Sequence, residues 1–195
     1  MATVVLNISS LDLAKSWATG GTTASELDSG ETSNQWLSNN GEAAQIIGQL
    51  DDYSAGGTVD SVQVSIVAFY GNARSGVVTA HLDIKNAGGS TLYSEAVSVT
   101  TNSGAHALYN YTSRTTSDGS TPWTDSDLDG LYLHWVFSPP AAGSVTFLQQ
   151  AYLTVTYSTA AVMAKVNGVT DANIDNVIGV ANDPMAKING ITDTD

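Results

Sequence analysis

The chain has 195 residues, of which 19 are acidic and only six basic, so its formal net charge at pH 7 is −13, and it has no cysteine. This charge argues against a partner that is nucleic acid or anionic lipid, because both require a basic protein surface. The lack of cysteine excludes disulfides, thiolate metal sites and cysteine nucleophiles. No apolar run reaches the length of a membrane span, and no secretory signal is expected at the start.

Strand patterns fill the first 158 residues. Apolar and β-branched residues run together or alternate with polar ones at 4–8, 46–50, 62–70, 78–84, 92–99, 107–111, 131–137 and 145–157. Such alternation is typical of half-buried strands. The Gly-, Ser-, Thr- and Asn-rich stretch 18–40 predicts a long loop with a short strand around Trp36, and 86–89 predicts a turn. The predicted fold is all-β, an antiparallel β-sandwich with jelly-roll topology over residues 1–158.

One acidic turn has the opening pattern of a calcium-binding loop. Asp125, Asp127 and Asp129 alternate and are followed by a glycine, a spacing that directs alternate carboxylates toward a hard cation. The twelfth position of the loop is Val136 where a bidentate glutamate is expected, and a predicted strand follows in place of a helix. Two interpretations therefore stand, a calcium site on the three aspartates and an acidic capping turn after Thr124.

The tryptophans also have two interpretations. Trp135 alternates with apolar residues in a predicted strand, which indicates a core position. Trp36 and Trp123 lie at loop edges, as does Trp17. At such places an indole ring can stack on a sugar, as candidate glycan-binding residues would, or it can close the end of a sandwich or an intersubunit contact.

Sequence features that would indicate an enzyme are few. His81, His106 and His134 are far apart, and no pair of them has the spacing of metal ligands. There is no nucleophile-elbow motif or phosphate-binding glycine loop, and no glutamate has the context of a glycosidase pair. Only the fold could assemble a Ser-His-Asp site. We therefore predict a protein that is not an enzyme and has no cofactor beyond the candidate calcium ion.

The last 32 residues repeat one unit three times. Gly168, Gly179 and Gly190 are spaced by eleven residues, and a β-branched residue follows each. Apolar residues at i and i+3 before a glycine predict one short helical turn that ends at the glycine. Such turns cannot bury their own apolar side chains, so segment 159–195 is predicted to be an interaction tail that lies on a neighbouring copy, on another protein or on the rest of the chain.

The candidate partner-binding residues of this tail are its repeated apolar positions and two lysines that share one column of the repeat. They are Met163, Val166, Val169, Ile174, Val177, Val180, Met185, Ile188, Ile191, Lys165 and Lys187.

Several segments together resemble a known family. They are the tryptophan-initiated turn 123–130, which leads into the strand 131–136, the terminal strand 150–157 and the strand 59–66. With these segments the body resembles the jelly-roll domains of bacteriophage virion proteins, namely head fibres, capsid decoration proteins and tail appendages. The Lys-x-Asn-Gly units of the tail are similar to repeats in phage virion sequences. The chain departs from the family in having 53–58 where a proline-containing turn is expected.

The resemblance implies a structural virion protein, either a capsid decoration (cement) protein or a head-fibre protein on the virion surface. It implies a homo-oligomer, first a trimer, whose tail docks on neighbouring subunits or on the major capsid protein. Two alternatives stay open. One is a tail-fibre or tail-tip domain that binds host glycans through Trp36 and Trp123, and the other is a glycan-active enzyme.

Overall fold

A computed structural model describes residues 1–19, 23–28, 36–38, 42–71, 77–100, 106–138 and 145–159, together with 165–166 and 169–170. The chain divides into two units, Met1–Ser158 and Thr159–Asp195. Within the described ranges no helix has the length and apolar character needed to cross a membrane.

The first unit is built almost entirely of strands. They are β1 (Ala2–Lys15), β2 (Trp17–Thr19), β3 (Trp36–Ser38), β4 (Ala44–Leu50), β5 (Thr58–Gly71), β6 (Val77–Lys85), β7 (Thr91–Thr100), β8 (Ala107–Asn110), β9 (Tyr132–Phe137) and β10 (Val145–Ser158). A 3₁₀ helix spans Ala24–Leu27, and a one-turn helix, α1, spans Asp125–Leu128. The predicted strands, including the short one at Trp36, are confirmed.

The strands pair as a jelly roll, and every pairing is antiparallel. The first sheet has the order β1-β10-β5-β8, and the second has the order β4-β9-β6-β7. Strand β1 links the two sheets, since its residues 2–7 pair with β10 and its later residues pair with β4. The short strands β2 and β3 extend the first sheet beside β10. This arrangement confirms the predicted β-sandwich with jelly-roll connections.

The core lies between the two sheets and is made of alternate residues. Leu133, Trp135 and Phe137 on β9 are fully buried, and Leu153 and Val155 on β10 face them from the first sheet. The prediction that Trp135 is a core residue is confirmed. Burial of each large aliphatic side chain stabilises the folded state by about 1.5–3 kcal/mol. The alternate residues that face the core therefore make the main favourable contribution to folding.

The turn predicted at 86–89 is present between β6 and β7. The N–H of Gly89 donates to the carbonyl of Asn86 at 2.8 Å, and the N–H of Asn86 donates to that of Ser90 at 3.0 Å. Gly89 has φ of +81°, a conformation that favours glycine.

The second unit contains a short antiparallel pair, β11 (Lys165–Val166) with β12 (Val169–Thr170). The predicted helical turn is therefore wrong for the first repeat. The residues between these strands are Asn167 and Gly168, and Asn-Gly between β-branched residues is a strong hairpin signal that outweighs the i, i+3 spacing. The other candidate partner-binding residues, among them the whole second and third repeats, lie outside the described residues.

Candidate functional site

The acidic turn folds as the N-terminal cap of α1. The hydroxyl of Thr124 accepts a hydrogen bond from the N–H of Asp127 at 3.3 Å, and the carboxylate of Asp127 accepts one from the N–H of Thr124 at 2.9 Å. This reciprocal pair is a capping box. It confirms the capping-turn interpretation of the sequence.

The same turn gives the calcium interpretation no support. Oδ1 of Asp129 accepts the N–H of Tyr53 at 3.2 Å, whereas Asp125 is exposed. In the part of the chain that the structure describes, no group of three His, Asp or Glu side chains could hold a metal ion. Asp127 is engaged by its cap and Asp129 by Tyr53, and these contacts argue against a calcium site on the three aspartates.

A cleft of about 340 Å³ opens between the β6–β7 turn and α1. We call it the turn cleft. Its lining residues are polar apart from Leu92 and two small residues, and they are Asn86, Ala87, Gly88, Leu92, Ser117, Asp118, Ser126, Asp127 and Asp129. The volume is within the range of small-ligand sites. The structure thus places two of the three predicted calcium ligands in one cleft with the β6–β7 turn, which is distant from them in the sequence.

Asp118 is the most strongly held carboxylate of the turn cleft. Its Oδ1 accepts the N–H groups of Ser120 and Thr121 at 2.9 and 2.7 Å, and the Ser120 hydroxyl donates to it at 2.9 Å. The hydrogen bonds from Thr121 and Ser120 lower the pKa of Asp118 to about 2. A glycosidase acid needs a raised pKa, so Asp118 is unsuited to that role. Asp-Gly at 118–119 is a turn signal in the sequence, but its position beside Asn86 is not.

The tryptophans proposed for sugar stacking are buried, which corrects that interpretation. Trp36 is 0% exposed and Trp123 is 3% exposed. The Trp36 indole N–H donates to Oε2 of Glu26 at 3.0 Å, and that of Trp123 donates to the carbonyl of Arg114 at 3.0 Å. Neither ring face is open to a ligand, because each indole closes one part of the hydrophobic core.

His81 and His134 both lie near Asp83 on the second sheet. The Ser94 hydroxyl donates to Oδ1 of Asp83 at 2.7 Å, and Nε2 of His81 lies 3.0 Å from the Ser94 Oγ and 3.3 Å from Oδ1 of Asp83. Nδ1 of His134 lies 3.9 Å from Oδ2 of Asp83, beyond hydrogen-bond distance.

This cluster contains Ser, His and Asp but lacks the geometry of a catalytic triad. A triad serine gives its proton to histidine, whose other ring nitrogen bonds the aspartate. Here the proton of Ser94 is directed to Asp83, and one nitrogen of His81 faces both partners. The third histidine, His106, packs its ring edge-on to Phe69 with the ring centres 4.6 Å apart, on the other sheet.

No protein-family model matches the chain, and no curated protein matches it. Solved structures that resemble it include carbohydrate-binding modules with a β-sandwich fold. Chitosan-binding module 1 of a chitosanase/glucanase from Paenibacillus sp. IK-5 is 15% identical with a TM-score of 0.43, over 75% of this chain and 96% of that chain. CBM35 from Paenibacillus barcinonensis is 15% identical with a TM-score of 0.40, over 81% and 100% of the two chains. At these identities the likeness is one of fold alone.

Proposed function

We propose that this chain is a non-catalytic structural protein on the surface of a bacteriophage virion, a capsid decoration or head-fibre protein. The first unit is the outward domain, and the second unit attaches it to the major capsid protein or to neighbouring subunits. The observation that supports this proposal is the division of the chain at Ser158, since the sandwich closes its core before the repeats begin.

The closure of the sandwich can be followed along its last strand. β10 pairs with β1 on one side and with β5 on the other, up to the pair of Ser158 with Thr58. Leu148, Ala151, Leu153 and Val155 of β10 are fully buried between the sheets. The described core of the first unit is thus built from side chains of residues 1–158, and we infer that the repeated apolar positions of 159–195 serve another surface.

Charge and chemistry support the same proposal. A net charge of −13 keeps a particle surface soluble and limits nonspecific association. In the Ser94–His81–Asp83 cluster the serine hydroxyl donates its hydrogen bond to the carboxylate, and the low pKa of Asp118 does not suit a general acid.

Truncation tests the attachment. Full-length chain and a 1–158 variant are mixed with purified phage capsids that lack this protein, and binding is measured by co-sedimentation. We expect 1–158 to keep the melting temperature of the first unit and to lose capsid binding, and a 159–195 peptide to compete with the full chain. Equal binding of 1–158 and the full chain would remove the repeats from the attachment role.

A second candidate function is recognition of a host-surface glycan by the turn cleft. Its acceptors are fixed in direction by internal hydrogen bonds, as Asp118 shows, and Leu92 offers one apolar contact. Oriented acceptors beside a small apolar surface suit the hydroxyl groups and C–H faces of a sugar ring. This proposal rests on the cleft and not on Trp36 or Trp123.

A blocking substitution tests the cleft. A Cβ at Gly88 would meet only Oδ1 of Asn86, at 3.4 Å, so the backbone there accepts a side chain and Gly88→Phe should place its ring in the cleft. Binding to a glycan array should be lost in this variant and retained in Thr3→Phe, which places the same ring at an exposed position of β1. Array binding that survives Gly88→Phe would rule the cleft out.

A further inference from the structure

The outward side of the first sheet carries no charge. Segments 3–7 of β1, 147–156 of β10, 61–69 of β5 and 108–110 of β8 contain no Asp, Glu, Lys or Arg, although the chain has 19 acidic and six basic residues. These segments pair side by side. The outward side of the second sheet, by contrast, carries Asp83 and Lys85. We call the outward side of the first sheet over these segments the neutral face.

The neutral face exposes apolar side chains to water, although such a sheet side is normally polar. Val5 on β1 is 38% exposed and Leu108 on β8 is 54% exposed. Between these two strands lie the half-buried Val67 on β5, which pairs with Leu108, and the half-buried Tyr152 on β10. Apolar groups that share one uncharged surface indicate a place where a ligand or a partner binds.

The same face has hydrogen-bonding groups that are open to a ligand. Oδ1 of Asn110 accepts the Ser65 hydroxyl at 2.8 Å, which fixes the amide, and its two N–H groups have no acceptor among the described residues. The hydroxyls of Tyr152 and Thr154 have no partner in that part of the chain either. The neutral face therefore offers an oriented amide donor, and hydroxyls that can both donate and accept, beside its apolar groups.

The open part of the neutral face is narrow. It spans four strands, about 14 Å across, and the four residues from Gln150 to Thr154 along β10, about 13 Å. Next along β5 is Phe69, which is only 8% exposed. The open area is thus about 200 Å², whereas each partner of a stable protein interface contributes about 800 Å². A slender ligand fits this area better than a folded protein does.

We propose that the neutral face binds an uncharged polysaccharide, as a chain of linked sugar rings that lies across β1, β10, β5 and β8. Sugar hydroxyls bond to the amide of Asn110 and the hydroxyls of Tyr152 and Thr154, and the C–H faces of the rings contact Tyr152 and Val67. An acidic polymer is repelled by a chain of net charge −13, and the face holds no carboxylate for a basic one.

The probes are three uncharged polysaccharides, namely dextran, galactomannan and mixed-linkage β-glucan, with alginate as the acidic comparison. Binding of the full chain is measured by its retardation in native gels that contain each polymer. We expect at least one of the three to retard the protein, and alginate to leave its mobility unchanged. No retardation by any of the three, or retardation by alginate alone, overturns the proposal.

The salt dependence of binding tests the lack of charge in the contact. For a polymer that retards the protein, titration calorimetry should give a Kd that changes less than about twofold as NaCl is raised to about 1 M, where the Debye length is about 3 Å. A Kd that rises about tenfold over this range would assign the contact to charged residues outside the neutral face.

Two substitutions locate the contact. Tyr152→Ala removes a ring and a hydroxyl from the middle of the face, and Leu108→Glu places a charge at its edge. Each should raise the Kd at least about tenfold. The matched controls are Tyr132→Ala, a half-buried tyrosine of the second sheet, and Val77→Glu, at a β6 position that is 59% exposed. Both controls should keep the wild-type Kd within about twofold.

Melting temperatures establish that the variants are folded. Because Leu108 is exposed, Leu108→Glu keeps the test valid even where Tyr152→Ala is destabilised. Wild-type affinity in a folded Leu108→Glu variant, or equal losses in Val77→Glu, would show that the polymer binds elsewhere. Loss of capsid co-sedimentation in Leu108→Glu, with no polymer bound by the wild type, would make the face a protein interface and overturn the proposal.

Gly88→Phe separates the neutral face from the turn cleft. None of the residues that line the cleft belongs to β1, β5, β8 or β10, so this variant should bind the polysaccharide with the wild-type Kd. A polymer that no longer binds to Gly88→Phe would be a ligand of the turn cleft, and the assignment to the neutral face would be wrong.

Discussion

The carboxylate of Glu95 on β7 and the guanidinium of Arg114 lie 2.8 Å apart and tie the two sheets together at one edge of the sandwich. The backbone of Arg114 pairs with Val62 of β5, with N–H to carbonyl distances of 2.9 and 2.8 Å. The Arg114 side chain reaches the other sheet, where it also covers the ring of Tyr93 at 4.7 Å. One residue therefore links β5 to β7, two strands that share no ladder.

Glu95 holds more than this one partner. Its carboxylate also accepts the N–H of Thr112 at 3.1 and 3.2 Å and the Thr112 hydroxyl at 2.7 Å. The Tyr93 hydroxyl donates to the carbonyl of Thr116, so the segment after β8 is tied to β7 at several points. This segment leads to Trp123, whose indole is part of the core.

We predict that Glu95→Gln lowers the free energy of unfolding by about 1–3 kcal/mol, because Arg114 then lacks its charged acceptor in a site only partly open to water. Chemical denaturation of the variant measures the loss. A double-mutant cycle with Arg114→Met should show coupling between the two residues. The control is Asp12→Asn, which also removes one negative charge but at an exposed position of β1, and it should have no comparable effect.

Two adjacent glycines before β5 should respond differently to alanine. Gly56 has φ of +67° with nothing within 4 Å of an added Cβ, so Gly56→Ala should cost about 1–2 kcal/mol of backbone strain. Gly57 has φ of +93°, and its Cβ would lie 2.6 Å from the carbonyl oxygen of Ser158. Gly57→Ala should cost about 1–3 kcal/mol more, since the end of β10 must move. Equal melting temperatures for the two variants would contradict this account.

The stability of the protein should fall on mild acidification. Burial lowers the pKa of His134, with the charge of Lys85 adding to the effect, and burial lowers the pKa of His106. The unfolded chain therefore takes up protons below pH about 6.5 that the folded chain resists, so the free energy of unfolding decreases as pH falls through that value. Above pH about 6.5 the contribution of these two histidines to the free energy of unfolding is constant.

Urea unfolding at pH 7.5 and pH 5.5 measures this dependence. The variant His134→Gln with His106→Gln should lose less stability than the wild type between the two conditions. His81→Gln is the matched control, because the His81 side chain is 47% exposed. An unchanged difference in the double variant would assign the acid sensitivity to other groups.

Removal of the α1 capping box should destabilise the protein, whereas removal of calcium should not change its stability. Thr124→Ala removes the hydroxyl that accepts the Asp127 N–H, and we expect it to cost about 1 kcal/mol. Because Asp127 and Asp129 are engaged by Thr124 and Tyr53, a chelator should leave the melting temperature of the wild type unchanged. A fall in melting temperature with chelator that calcium reverses would restore the calcium interpretation.

Strand alternation was enough to predict the sandwich, because it reports directly which side chains face a core. It assigned the strands, the turn 86–89 and the core position of Trp135. Local chemistry also allowed the capping box at Thr124 to be weighed against calcium, since both interpretations depend on residues close in sequence.

Features that depend on residues distant in the chain became visible only in the folded protein. Burial of Trp36 and Trp123 is set by the 3₁₀ helix and the Arg114 segment packed over them, which no local pattern encodes. Asp83 and His134 become neighbours because β6 pairs with β9. Local sequence sets which side of its own strand a residue faces, whereas long-range pairing decides which residues become neighbours, and a binding surface is made of neighbours.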